Sequence, residues 1–200
     1  MSKQYIVASE VAKMLRTALK EAAPGVKFSV QTSNSNCLRI KWADGPSYKL
    51  IESFCQHWAG AYFDPTIDYQ GSNYFELDGA PCSLGSKFVF CNRDYTDAAV
   101  EKAIAQIARK CGSAIIPTAA QWRNGDSWNM PIYGEGTLAR GTDWQHAIHA
   151  ALAKQSDRLA LKPSATAKRL KCAGDDGYGQ GTVGTATDPR TGKGYAATYA

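Results

Sequence analysis

The 200-residue chain has no C-x-x-C pair, only three histidines and no long apolar run. Its six cysteines, Cys37, Cys55, Cys82, Cys91, Cys111 and Cys172, are scattered, which excludes a zinc ribbon or a thioredoxin-type site and leaves reduced thiols as the expectation. The opening "MSKQYIVASEVAKMLR" returns to polar residues after four apolar positions. That is too short for a secretory h-region or a membrane span, so a cytoplasmic protein with no membrane partner is expected. Nucleotide loops are missing as well. In "DPRTGKGY" Lys193 is followed by Gly194 rather than Ser or Thr, and "GYGQGTVG" has no strand before it and no helix after it. No cofactor is expected.

What is present is a globular composition, 44% hydrophobic and 20% charged, enough for one compact domain with an appended segment. The net charge of +5 is unevenly placed: residues 1–100 balance ten Lys/Arg against ten Asp/Glu, whereas 101–200 hold thirteen against eight. Within that half Lys154, Arg158, Lys162, Lys168, Arg169 and Lys171 stand against one acid, Asp157, in eighteen residues. Such a local potential attracts nucleic acid or an acidic partner.

Periodicity supplies the elements. Ser9 is placed to cap a helix carrying Val11, Met14, Leu15, Ala18, Leu19 and Ala22 on one face, stopped by Pro24-Gly25. Val26, Phe28 and Val30 then alternate with polar residues, as do Leu38, Ile40 and Trp42 after a polar loop. Asp44-Gly45-Pro46 turns into a second helix with Leu50, Ile51, Phe54, Cys55 and Trp58 as its apolar stripe. "GAYFDPTIDYQG" reads as a loop, "SNYFEL" and "SKFVFCN" as two strands linked by a turn at 78–81, and Thr96 or Asp97 caps a third helix ending at Gly112. This order predicts an α+β domain over 1–112, an antiparallel sheet with helices packed on one face. A Trp/Gly-rich, basic extension follows over 113–200. It holds a helix with Thr142 and Gln145 spaced as a capping box, then a Gly/Thr/Tyr-rich stretch over 174–200 with strand-like "GTVGTAT" and "GYAATY".

If the first two strands pair directly, Lys27, Ser29, Gln31, Arg39 and Lys41 share the wet face of their hairpin. Wet faces are common to one-sided antiparallel sheets, but Arg and Lys are also the natural partners of phosphates and acidic patches. The two strands place no aromatic on that face, so base stacking is not expected there. Asp143, His146 and His149 fall at three-residue spacing, yet a carboxylate in a first helical turn already favours the dipole, and no metal is expected. Cys55 and His57 are neighbours that point apart on a helix, and Cys55 lies on the core stripe. No catalytic group is expected. Trp122, Trp128 and Trp144 fit either core positions or partner anchors.

The run "VAKMLRTALKEAAPGVKFSVQTSNSNCLRIKWADGPS", followed by "FDPTIDYQG" and "GSKFVFCNRDYT", resembles large polyvalent protein-associated domain 29 over about residues 9–110. That family shows a "LRKALKEAFPGVKFSV" start, a strand ending "WTDGP", an "FDG" loop and an "FVFC.R" strand, where this chain has Phe63-Asp64-Pro65 in place of "FDG". The resemblance implies a setting in phages and conjugative elements, beside invading DNA in a bacterial host cytosol, and no catalytic residue. A stand-alone version looks like a counter-defence protein of anti-CRISPR or anti-restriction type. Its expected partner is a host defence protein or ribonucleoprotein complex, reached through Lys27, Arg39, Lys41 and the 154–171 cations. The alternative is a nucleic-acid-binding protein that escorts incoming DNA, or binds RNA, through the same basic run.

Overall fold

The computed structural model describes residues 4–33, 36–111, 115–132, 143–156 and 160–178, together with the backbones of strands 183–187 and 194–198. The chain is α+β, as the periodicity predicts, but the single antiparallel sheet is replaced by two mixed sheets. In the first, β2 (Ser29–Thr32) runs antiparallel to β3 (Leu38–Ala43), and β7 (Val89–Asp94) lies parallel to β3 on its other side. Parallel neighbours need a long crossover. Here it is made by α2 (Tyr48–Gln56), which Ser47 caps by accepting from the Leu50 N–H, and by the strands after it.

Those strands join the N-terminal strand in a second sheet, in the order β1 (Gln4–Ile6), β6 (Ala80–Leu84), β5 (Tyr69–Leu77) and β4 (Ala61–Asp64). The stretch expected as a loop is therefore the β4–β5 hairpin, with the positive φ of 51° at Asp68 and none at Pro65. Asp78 and Gly79, at φ 53° and 84°, make the two-residue turn that Asp-Gly favours between antiparallel strands, so the chain enters β6 before it reaches β7. The first helix also departs from expectation. α1 (Ala8–Ala22) starts before Ser9, with Val7 at the N-cap and no capping side chain, because β1 pairs parallel with β6 and the Gly85 N–H donates to Ile6, fixing the entry point.

Packing crosses the expected 112/113 boundary in both directions. One core gathers Val11, Leu15 and Leu19 of α1, Ile51, Cys55 and Trp58 around α2, and Leu38, Ile40 and Trp42 of β3. It also takes Leu170, from far along the chain. A second core joins Val100, Ile104 and Ile107 of α3 (Asp97–Cys111) to Trp122 of α4 (Ala119–Asn124) and to Trp144, Ile148 and Leu152 of α5 (Trp144–Ser156). Thr96 caps α3 by accepting from the Ala99 N–H. Thr142 lies outside the described residues, and Asp143 caps α5 instead, accepting from the His146 N–H at 2.9 Å.

Residues 160–178 return to the first core as α6 (Ala165–Arg169) and β8 (Leu170–Asp175), which pairs antiparallel with β5. Three carboxylates fasten this return. Glu21 on α1 accepts from the Ser164 hydroxyl at 2.7 Å and from the Thr166 N–H and hydroxyl at 2.9 and 2.8 Å. Asp78 in the β5–β6 turn takes both Nε and Nη2 of Arg169, and Asp176 accepts from Tyr62, Tyr69 and the Ser72 N–H. The His57 ring adds a bond to the Leu170 carbonyl at 2.8 Å. Beyond it, β9 (Val183–Thr187) and β10 (Gly194–Thr198) pair antiparallel with each other, which bears out the strand-like reading of that stretch.

Leu170→Ala is expected to destabilise the fold by about 2–5 kcal/mol, the cost of a buried leucine cavity, in a chemical denaturation series. Alanine at exposed Lys162 changes little. Acid acts on the fastening itself. Glu21 is held below its ordinary 4.5 by the Thr166 N–H and the Ser164 and Thr166 hydroxyls, and Asp78 below 3.8 by Arg169. At Asp176 partial desolvation pushes upward, but the Tyr62 hydroxyl and the Ser72 N–H outweigh it and the value again falls below 3.8. Folded values below unfolded ones mean that each contribution is complete above the ordinary value and is lost as pH falls through the lowered one. Amide exchange in β8 is expected to rise below about pH 4.5, ahead of exchange in α3.

Candidate binding face

Strand β3 alternates without a break: Leu38, Ile40 and Trp42 are buried, while Arg39, Lys41 and Ala43 are exposed. Its neighbours obey the same parity. In the β2–β3 register Ser29 stands opposite Lys41 and Gln31 opposite Arg39, the direct pairing on which a shared hairpin face depends. The parallel strand adds what the hairpin lacks, because Phe90 is in register with Arg39 and Asn92 with Lys41. One open surface thus carries the rows Gln31–Arg39–Phe90 and Ser29–Lys41–Asn92, with Lys27 just before β2.

Phe90 overturns the expectation of an aromatic-free face. It is 56% exposed, and among the described residues no aromatic ring packs on it. "SKFVFCN" already places Phe90 on the polar parity of its strand, but only the parallel pairing with β3 puts it beside Arg39.

The electrostatics of the face are one-sided. Among the described residues no carboxylate pairs with Lys27, Arg39 or Lys41. Asp94, at the end of β7, is drawn off by Arg123 at 3.7 Å and by the Tyr95 N–H. A shallow trough of about 410 Å³ runs over this end of the sheet, lined by Lys27, Ser29, Lys41, Ala43, Asn92 and Asp94. Donors therefore outnumber acceptors where a ligand would lie.

Among the described residues the basic run is spread over several elements. Lys154 ends α5 against the second core, Lys162 lies in the connector, where its N–H donates to Ala22, and Arg158 is outside the described residues. Lys168 is exposed on α6. Arg169 is occupied by Asp78, with 2.6 Å between Nη2 and Oδ2, and the pair holds Arg169 above its ordinary value. Lys171, exposed on β8, stands opposite Glu76 of β5. Sequence proximity suggests a patch; the fold divides it between two cores and neutralises part of it.

The remaining candidates are engaged by neighbouring groups. Cys55 is buried, and a hydrogen bond with Cys91, then burial, push its thiol well above its ordinary value, so it is a poor nucleophile. His57 is committed to Leu170 and meets Trp58 and Phe75 edge-on. Asp143 caps α5 and takes His146 Nδ1 at 2.8 Å, while His149 lies over Trp122 with 5.1 Å between ring centroids. Trp122 and Trp144 fill the second core, and Trp128, half exposed, leans on His146. Among the described residues no helix is long and apolar enough to cross a membrane.

No curated protein and no solved structure gives a significant match to the chain. A family comparison does, and it ends at Thr96, one residue before α3 and the second core begin, so it takes in the open face and leaves out both α3 and the returning strand β8. The family suggests a phage or mobile-element setting through its association with large polyvalent proteins. The resemblance read from the sequence is borne out: residues 6–96 match the Large polyvalent protein associated domain 29 family.

Proposed function

We propose that this is a mobile-element accessory protein that works by binding rather than by turnover, docking onto a host defence ribonucleoprotein as a counter-defence inhibitor. The observation that supports this reading is the open face of the β2–β3–β7 sheet, where an exposed Phe90 on the edge strand stands beside Arg39, and Lys41 and Lys27 follow across the sheet with no carboxylate partner among the described residues. Interfaces draw most of their affinity from a few aromatic and Arg contacts, and this face offers both in one register row. Complementary charge speeds the encounter with an anionic surface. Cytoplasmic action in the host follows from the same reading.

The alternative, an escort for incoming DNA through residues 154–171, has less support, since Arg169 is paired with Asp78 and Lys154 stands on α5, a different element from Lys168 and Lys171. An escort that used the sheet face instead would be separated by nuclease.

The reading is tested by capturing partners from host lysate on the tagged protein, with and without nuclease, beside the Arg39→Glu/Lys41→Glu variant. The expected result is a defined defence complex that survives nuclease on the parent protein and falls at least tenfold on the variant, the loss of two charged contacts. A complex retained equally by both proteins, or proteins released wholesale by nuclease, would overturn it.

A further inference from the structure

The proposed binding face has a chemistry more specific than positive charge. A polyanion such as an acidic protein or a sulfated sugar needs cations and nothing else. Here the cations stand beside an aromatic ring that gains nothing from being exposed: Phe90 is at 56% exposure on the edge strand β7, next to Arg39, and Phe88, two residues earlier, is half-buried. Polar side chains that can read base edges, Gln31, Ser29 and Asn92, complete the two rows. Resting on the reading that this face is the contact surface, we infer that its ligand is an unpaired nucleic-acid strand, with a base stacked on Phe90 and phosphates held by Arg39, Lys41 and Lys27.

Three physical arguments favour a single strand over a duplex. A stacking platform needs a base whose face is free, and in a duplex both faces are covered by neighbouring pairs. The face is an open sheet, with strands about 4.8 Å apart and same-face residues about 6.7 Å apart along a strand, so it offers a flat bed and no projecting helix or ribbon to enter a groove. The trough over Lys27, Lys41 and Asn92 lies beside Phe90 rather than beneath it, which leaves room for the backbone next to a stacked base. Asp94, the acid lining the trough, lies four residues along β7 from Phe90, in register with Ala43, and pairs with Arg123 at 3.7 Å. In the docking reading that strand is one carried and shielded by the host ribonucleoprotein, so the captured complex outlasts digestion of free nucleic acid.

The test is fluorescence anisotropy with short labelled oligo(dT) and oligo(U), a duplex of equal length, and heparin as a polyanion without bases, on the full chain. The single strands are expected to bind more tightly than the duplex. Log affinity should fall against log salt with a slope of about −2, three phosphate contacts at about 0.7 each. Phe90→Ala should weaken single-strand binding about tenfold without changing that slope, and Phe90→Trp should restore it. Arg39→Gln should lower the slope by about 0.7. Because all these side chains are exposed, thermal melts of the variants should match the parent. Binding of heparin with Phe90→Ala neutral on every ligand would overturn the inference while leaving the anion-binding face intact. Duplex bound as tightly as single strand would overturn it too. No binding of oligonucleotide or heparin would overturn both the inference and the role given to this face.

Discussion

A strand can bury only every second side chain, and β3 is where that constraint governs the molecule. Leu38, Ile40 and Trp42 go inward to meet α1 and α2, so Arg39 and Lys41 have no choice but to face out. Both neighbours inherit this parity through their registers. A slip of one residue would bury Arg39 and expose Ile40, so the hydrophobic core and the basic face are specified by the same pairing. The face is thus as well determined as the core, and among the described residues its Arg39, Lys41 and Phe90 are exposed.

The segment after residue 160 serves the opposite surface. It contributes Leu170 to the first core and a strand to β5, and its polar groups end on carboxylates from three separate places, Glu21, Asp78 and Asp176. Charge-assisted hydrogen bonds of this kind fix geometry more than they add net stability at an exposed site. Their effect on function is indirect. Arg169 is thereby paired with Asp78 and Lys171 set opposite Glu76, while Lys162 and Lys168 stay exposed.

Local patterning makes much of this legible. The three-and-four spacing of α1, the alternation of β2 and β3, the stripe of α2 and the cap at Thr96 all follow from residue order alone, as does the hairpin that brings Lys27, Arg39 and Lys41 together. What is not legible depends on long-range pairing. β1 is three residues long and exists because β6 receives it; β8 reads as a charge run because its apolar content, Leu170 and Cys172, is sparse. β4 is hidden by Pro65 and a turn that follows at once. Phe90 is the consequential miss: its exposure is written in "FVFC", but its place beside Arg39 requires the β3–β7 parallel crossover, which no local signal announces. In the basic run, closeness in sequence likewise leaves open which carboxylate a side chain meets, as when Arg169 meets Asp78.

A bound strand must touch the protein at the β3–β7 face. Ultraviolet cross-linking of bound oligo(U), followed by peptide mass spectrometry, reads that directly. Adducts centred on Phe90, in the β7 peptide beside Arg39, are the predicted result. Adducts concentrated in residues 154–171, with the β7 peptide unmodified, would contradict it.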